Sequence, residues 1–312
     1  MRSAVAAVSS GSSAGVVGAS GFIGSALVER LLADSVEVVR FTRGDPLVSD
    51  RGLLAPEAAG AACVFWLASS VNPAVAEERP DLVQADHEAF ERFIAAAERA
   101  PDPPTVVMLS SGGTVYDPSV PPPYAEDSPT APVTAYGRSK VRLERLLLGS
   151  KLPPGRRVVV RVANAYGPNQ PARRGQGVIA HWLRAAALGD PLVLIGDPLT
   201  VRDYVYIDDV VDLLALLLAH AGPLPEVVNA GSGEPVTLRR LADVVLEVVG
   251  DPTLEFKMMP ARGFDLPATW LDISLARRTF GWRPRVGLRE GVARAWDAVR
   301  RRPPDELDAP TR

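Results

Sequence analysis

A chain of 312 residues exceeds the usual size of one hydrophobic core, so its length predicts one large α/β domain or two lobes sharing a cleft. Apolar residues make up 47% and charged residues 23%, an ordinary globular composition that excludes wholesale disorder. The 34 Lys and Arg against 37 Asp and Glu give a net charge of -3 with no basic block for a phosphate backbone, so nucleic acid is not an expected partner.

Cys63 is the single cysteine, which excludes an intrachain disulfide and a cysteine-based zinc site and fits a reducing cytoplasm. The longest apolar run, 210–220, is interrupted by Asp212 and is too short to span a bilayer, so no membrane association is expected. Near the start, Arg2 precedes the apolar stretch Ala4-Val5-Ala6-Ala7-Val8. That stretch is shorter than the core of a secretion signal and runs through Ser9 to Ser13 into a strand, so it reads as a tail.

In chain order, β-branched runs predict strands at 14–17, 36–42, 63–67, 105–110 and 157–164, most of them apolar on both faces as buried parallel strands are. Helical periodicity lies between them. Ile23, Leu27 and Leu31 recur at i, i+4 and i+8, and the segments 82–99 and 136–148 follow the same rule. The alternation predicts an α/β fold, a doubly wound parallel sheet with helices on both faces. After about residue 165 the regularity weakens into helices at 178–187, 208–218, 238–249 and 288–300 and short strands at 192–195, 204–207 and 254–258. A second, smaller α/β lobe is therefore expected over 166–312, with the first domain covering 14–165 and 200–220 returning to it. The proline-rich stretch 118–132 is expected to be a structured loop, and no internal repeat is present.

Gly18-Ala19-Ser20-Gly21-Phe22-Ile23-Gly24 joins the first strand to the first helix. Glycines there allow a tight turn and let a pyrophosphate approach the helix N-terminus, where free N–H groups and the dipole favour an anion. The second strand ends in Val39-Arg40-Phe41-Thr42-Arg43. Thr42 stands where an acidic residue would hold the adenosine ribose of NAD, and Arg43 supplies a cation for a 2′-phosphate, so NADP is favoured with NAD as the alternative.

Tyr136-Gly137-Arg138-Ser139-Lys140 opens a helix, which places Tyr136 and Lys140 at i and i+4 on one face. An ammonium beside a phenol favours the phenolate, and a tyrosine so placed serves as acid or base for a sugar hydroxyl near neutral pH. Upstream, Ser110-Ser111-Gly112-Gly113-Thr114-Val115-Tyr116 follows a strand at the matching end of the sheet.

These segments occur in order with Asn164-Ala165-Tyr166-Gly167-Pro168, Arg202-Asp203-Tyr204, Asp208-Asp209-Val210 and Arg262-Gly263-Phe264-Asp265. Together, over roughly residues 14 to 300, they resemble the extended short-chain dehydrogenase/reductases that act on nucleotide sugars, the UDP-galactose 4-epimerase-like group. The resemblance implies a Rossmann domain and a nucleotide-sugar-binding lobe. It implies that Tyr136 and Lys140 are the catalytic pair and that Lys140 also holds the nicotinamide ribose. Gly18, Ser20, Gly21, Phe22, Ile23 and Gly24 would surround the pyrophosphate, and Leu67, Ala68 and Ser69 would line the cofactor from below. Tyr166 and Pro168 would meet the nicotinamide, while Asn164, Arg202, Arg262 and Asp265 would grip the diphosphate and nucleoside of a dTDP- or UDP-linked sugar. Pairing of the helices at 82–99 and 136–148 into a homodimer is also implied, and those helices read as carrying more apolar surface than the sheet needs.

The sequence departs from that pattern twice. Gly112 occupies the place of the usual catalytic Ser or Thr, so the hydroxyl comes from Ser111 or Thr114, with Ser111 ranked first. Only about twenty residues separate Thr42 from Val64, where the family fits a further strand and helix, which leaves the adenosine pocket open. The histidines His87, His181 and His220 have no ligand spacing and no metal is expected, while Trp66, Trp182, Trp270, Trp282 and Trp296 read as packing residues.

A 4,6-dehydratase of this group carries an Asp-Glu pair at the place of Gly113-Thr114, and a sugar-acid decarboxylase carries a Glu there. Without such a group, chemistry at C5 or C6 has no base, which leaves hydride transfer at C4. An NAD(P)H-dependent 4-ketoreductase acting on a nucleoside-diphosphate 4-keto-6-deoxyhexose is the first expectation, and an NAD-dependent 4-epimerase the second. The intact Tyr136 and Lys140 argue against a non-catalytic member.

Overall fold

The computed structural model describes residues 13–42, 44–173, 175–251, 253–260 and 266–303. Five of the strands that form its main sheet lie before residue 163: β1 (Ser13–Val17), β2 (Glu37–Phe41), β3 (Cys63–Trp66), β4 (Thr105–Ser111) and β5 (Arg157–Val162). Between them run α1 (Phe22–Ala33), the single turn α2 (Pro56–Ala59), α3 (Pro73–Glu78), α4 (Pro80–Ala97) and α5 (Ala135–Leu148). Beyond β5 come β6 (Asn164–Tyr166), α6 (Val178–Leu188), β7 (Leu192–Ile195), β8 (Val201–Arg202), β9 (Tyr204–Tyr206) and α7 (Ile207–Ala219). The chain closes with β10 (Val227–Ala230), β11 (Val236–Thr237), α8 (Leu238–Val249), β12 (Phe256–Met259), α9 (Ser274–Phe280) and α10 (Leu288–Val299).

The main sheet has six strands in the order β10-β5-β4-β3-β1-β2, and every pairing in it is parallel. Parallel strands need covered faces, and two cores supply the cover. On one side Phe90, Phe93, Leu143 and Leu147 of α4 and α5 bury against Val64, Trp66, Val106, Met108 and Val159. On the other, Leu27 and Leu31 of α1 and Val210, Leu213 and Leu214 of α7 bury against Val16, Phe65, Val107 and Val160. Arg30 of α1 reaches both Asp34 and Asp212, fastening α7 beside α1. Trp66, Trp182 and Trp282 are buried packing residues.

Three expectations change. The predicted strand 157–164 breaks after Val162. The Ala163 N–H bonds Ala230 at 2.9 Å, and Asn164 then leaves the sheet to pair in β6 with Tyr204 of β9. The sixth strand, β10, lies inside the stretch expected to form only the lobe, because its four residues are too short to show a period of two. Finally, no large apolar side chain of α4 or α5 is exposed among the described residues, so surplus apolar surface does not argue for pairing through them. Their outer faces carry Arg142 paired with Glu91 and Gln84 bonded to Glu88.

Residues 42–62 form no full strand. Their short bridges, Thr42 with Asp45 and Val48 with Leu54, together with α2, seat Leu47 and Ala58 in the core. The loop 118–132 is structured, since Tyr116 and Tyr124 stack with centroids 4.8 Å apart and Tyr124 is bonded to the backbone of Trp270 and Asp272. No described helix is long and apolar enough to cross a membrane.

Candidate active site

A cleft of about 2480 Å³ opens at the carboxyl edge of the sheet, between it and the segments β6 to β9. Its floor starts at the glycine turn. Gly18 has φ of +85°, and a Cβ there would lie 2.8 Å from the Ala68 amide nitrogen. At Gly24 a Cβ would lie 2.1 Å from the Gly18 carbonyl, so the turn lies against both α1 and the chain after β3. Gly21 caps α1 with no side-chain hydrogen bond, leaving the first-turn N–H groups to an outside acceptor. A cradle closed to any side chain, next to an uncapped twelve-residue helix, fits a dinucleotide pyrophosphate.

Ser20, Phe22, Ile23, Thr42, Leu67, Ala68 and Ser69 all line the cleft with these glycines. Asp86 of α4 holds the segment after β3 by accepting from Ser69 Oγ at 3.1 Å and the Ser70 N–H at 2.8 Å. Sequence reasoning missed Asp86, which carries no motif of its own. Arg43 lies outside the described residues, as do Arg262 and Asp265.

Across the floor, Thr134 caps α5 by accepting from the Gly137 N–H at 3.0 Å, and Glu77 of α3 accepts from the Ala135 N–H at 2.7 Å. These two bonds fix the turn that carries Tyr136. Lys140 is buried with its Nζ 5.5 Å from the Tyr136 ring centroid and 3.5 Å from the Leu109 carbonyl oxygen, and both side chains line the cleft. The helical spacing read from the sequence thus brings Tyr136 and Lys140 together in the cleft.

Ser111 and Thr114 both line the cleft. Ser111 is half-buried at the end of β4, whereas Thr114 Oγ1 is sealed from water and has no hydrogen-bond partner. The Thr114 carbonyl presses on α5, where a Cβ at Gly137 would lie 2.3 Å from it. A Cβ at Gly112 would lie 2.6 Å from Leu271 Cδ1, so that position faces the packed Leu271 side chain.

Of the remaining expected residues, Asn164 is exposed in the cleft and donates from Nδ2 to the Asp203 carbonyl at 3.0 Å. Arg202 is half-buried in the cleft wall and donates to the carbonyls of Val201 and Leu266, each at 2.8 Å. The Tyr166 ring reaches the cleft, but its hydroxyl points away, 3.3 Å from the Leu288 carbonyl, and burial pushes that phenol well above its ordinary range. Pro168 is not among the residues lining the cleft. Asp203, beside Arg202 in the motif, turns inward. It accepts from Ser232 N–H and Oγ, from Gly233 N–H and from Leu271 N–H at 2.6 to 3.2 Å, and burial raises its carboxyl against the pull of those bonds.

A glycine turn feeding an open helix end and a Tyr-Lys pair on one parallel sheet together define a Rossmann oxidoreductase that uses a nicotinamide nucleotide. More narrowly, the chain belongs to the NAD dependent epimerase/dehydratase family, whose model matches residues 14–231, and it is a nucleotide-sugar enzyme of the epimerase, dehydratase and reductase kind. It is 36% identical to dTDP-6-deoxy-L-talose 4-dehydrogenase (NAD(P)(+)) of Kitasatospora kifunensis over 91% of this chain and 94% of that one. With UDP-glucose 4-epimerase of Mycolicibacterium smegmatis it shares 33% identity over 91% and 97%. The crystal structure of Thermus thermophilus UDP-glucose 4-epimerase in complex with NAD superposes with a TM-score of 0.80 at 28% identity, covering 93% of this chain and 99% of that one.

Proposed function

We propose that the chain is an NADPH-linked 4-ketoreductase of a nucleoside-diphosphate 4-keto-6-deoxyhexose. A nicotinamide held in the cleft would supply the hydride for C4. Tyr136 gives its phenolic proton to the C4 oxygen, so that ketone, hydride and proton balance as a secondary alcohol. Lys140, held 5.5 Å from the Tyr136 ring centroid, places a positive charge beside the phenol as the proton leaves and holds the nicotinamide ribose. Ser111 steadies the C4 oxygen ahead of Thr114, because a hydroxyl sealed from water reaches a substrate only after its side chain rotates. Asn164, Arg202, Arg262 and Asp265 hold the nucleotide, two guanidinium groups being suited to a diphosphate and a carboxylate to a ribose diol.

One observation carries this reading: the segment between β4 and Tyr116, Gly112-Gly113-Thr114-Val115, brings one glycine and one hydroxyl, Gly113 and Thr114, to the cleft and holds no carboxylate, so elimination at C5 or C6 has no base from this segment. The Thr42-Arg43 pair supports NADPH, and the full-length likeness to a 4-dehydrogenase that uses either nicotinamide nucleotide supports single-carbon redox. The full-length likeness to UDP-glucose 4-epimerases favours the 4-epimerase as the second reading. The test offers the purified protein NADPH with a dTDP-4-keto-6-deoxy sugar, and UDP-glucose without added cofactor. The reductase consumes 340 nm absorbance in the first mixture. UDP-galactose formed in the second, with no loss of absorbance in the first, replaces it with the epimerase.

A further inference from the structure

Directly beneath the site lies a polar row that the chemistry above does not use. Ser110 of β4, Arg161 of β5 and Asn229 of β10 stand side by side in the strand register, on the face of the sheet that α5 covers. Their exposures are 6%, 5% and 0%, so a row of polar groups runs through an otherwise apolar core. Ser111 follows Ser110 by one residue, and the Leu109 carbonyl that Lys140 approaches precedes it by one.

Every member has partners. Glu144, 3% exposed, lies one helical turn beyond Lys140 and two beyond Tyr136 on the same face of α5. Its carboxylate accepts from Ser110 Oγ, from Arg161 Nη2 at 2.7 Å and from Arg161 Nε at 3.1 Å. Arg161 donates its Nη1 to the Glu126 carbonyl at 3.1 Å and lies over the Tyr116 ring at 4.8 Å from its centroid. Tyr116 donates to Asn229 Oδ1 at 2.6 Å, and Asn229 donates onward to the carbonyls of Tyr124 at 2.9 Å and Asp272 at 3.1 Å. Glu126 closes the ring by accepting the Asn229 N–H at 2.9 Å.

Two buried charges cost more desolvation than their attraction commonly returns, and well-packed apolar residues of similar size are often as stable or more so. Stability alone therefore does not account for this pair. Direction does: a planar guanidinium forked on a carboxylate fixes both the rotation and the axial position of the helix bearing it. We propose that Glu144, Arg161, Ser110 and Asn229 form a positioning frame that sets Tyr136 and Lys140 against the end of β4 and ties the segment around Asp272 to the same reference. The proposal rests on the assignment of Tyr136 and Lys140 as the reacting pair, and it adds positioning residues of which Glu144, Arg161 and Asn229 lie behind the cleft wall and Ser110 lines it.

The test compares wild type with Glu144→Leu/Arg161→Met, which removes both charges and keeps an apolar core, and with Ser110→Ala as a milder variant. Thermal unfolding reports stability, hydrogen exchange reports the amides of 135–140, and steady-state kinetics separates kcat from KM. The frame predicts a double variant about as stable as wild type, with faster exchange over 135–140 and kcat lowered roughly tenfold or more at similar KM, since misplacement near 1 Å costs up to about a hundredfold. Ser110→Ala moves the same readouts in the same direction by less, and it carries the test if the double variant does not fold. Wild-type exchange over 135–140 in a folded variant overturns the frame, as does wild-type kcat. If wild type turns over neither nucleotide sugar, the reaction reading fails, while the exchange experiment still decides the frame.

Discussion

The two sides of the cleft are built differently. On the sheet side each proposed reacting group stands on a regular element pinned at or beside one end: Thr134 and Glu77 hold the first turn of α5, Asp86 holds the chain after β3, and the ion pair below closes on Ser110 near the end of β4. On the opposite side, β7 and β12 form a two-stranded parallel ribbon with Val193 41% and Met258 53% exposed. The sheet side is over-determined and suits a fixed reaction geometry, whereas on the opposite wall the Val193 side chain meets both cleft and solvent.

That contrast predicts where substitutions act on rate and where they act on binding. The largest effect belongs to Tyr136→Phe, which is expected to lower turnover by about 10²–10⁴-fold with substrate binding nearly intact, the usual worth of general acid-base catalysis. Near-normal turnover would remove Tyr136 from the chemistry. Next comes cofactor choice at the end of β2. Arg43→Ala is expected to erase most of an NADPH preference of roughly ten- to a hundredfold, and Thr42→Asp to reverse it, because a carboxylate accepts from ribose hydroxyls and repels phosphate. Titration of each variant with NADH and NADPH measures both.

Smaller changes sharpen the same division. Ser111→Ala is expected to cost about tenfold in kcat and Thr114→Val less, as loss of one hydrogen bond to a charge-developing oxygen allows. The opposite order in parallel assays would hand the role to Thr114. On the opposite wall, Val193→Ser is expected to change unfolding free energy by less than about 0.5 kcal/mol and to act on KM rather than kcat, which denaturant titration and initial-rate kinetics resolve.

Much of the sheet side was legible in the sequence because its signals are local. The glycine turn, the i, i+4 spacing of Tyr136 and Lys140 and the apolar runs of β1, β3 and β4 each lie within a few residues. What escaped depends on distant parts of the chain meeting. Strand β10 has four residues and gains its place from pairing with β5, while Glu144 and Arg161 look like ordinary surface charges until α5 closes over the sheet. Asp203 stands within the motif Arg202-Asp203-Tyr204, yet its inward turn onto Ser232, Gly233 and Leu271 follows from a tertiary approach no spacing reveals.

The proposed reaction delivers a single hydride to C4, with no carboxylate from the segment 112–115 to act on the neighbouring carbons. It is tested most directly by running the reaction with NADPH deuterated at the transferred position of its nicotinamide and a dTDP-4-keto-6-deoxy sugar, then locating the label by NMR and mass spectrometry. One deuterium at C4 of the sugar per cofactor oxidised is the predicted result. Label at C5 or C6, or a sugar converted with no cofactor consumed and no label gained, would contradict it.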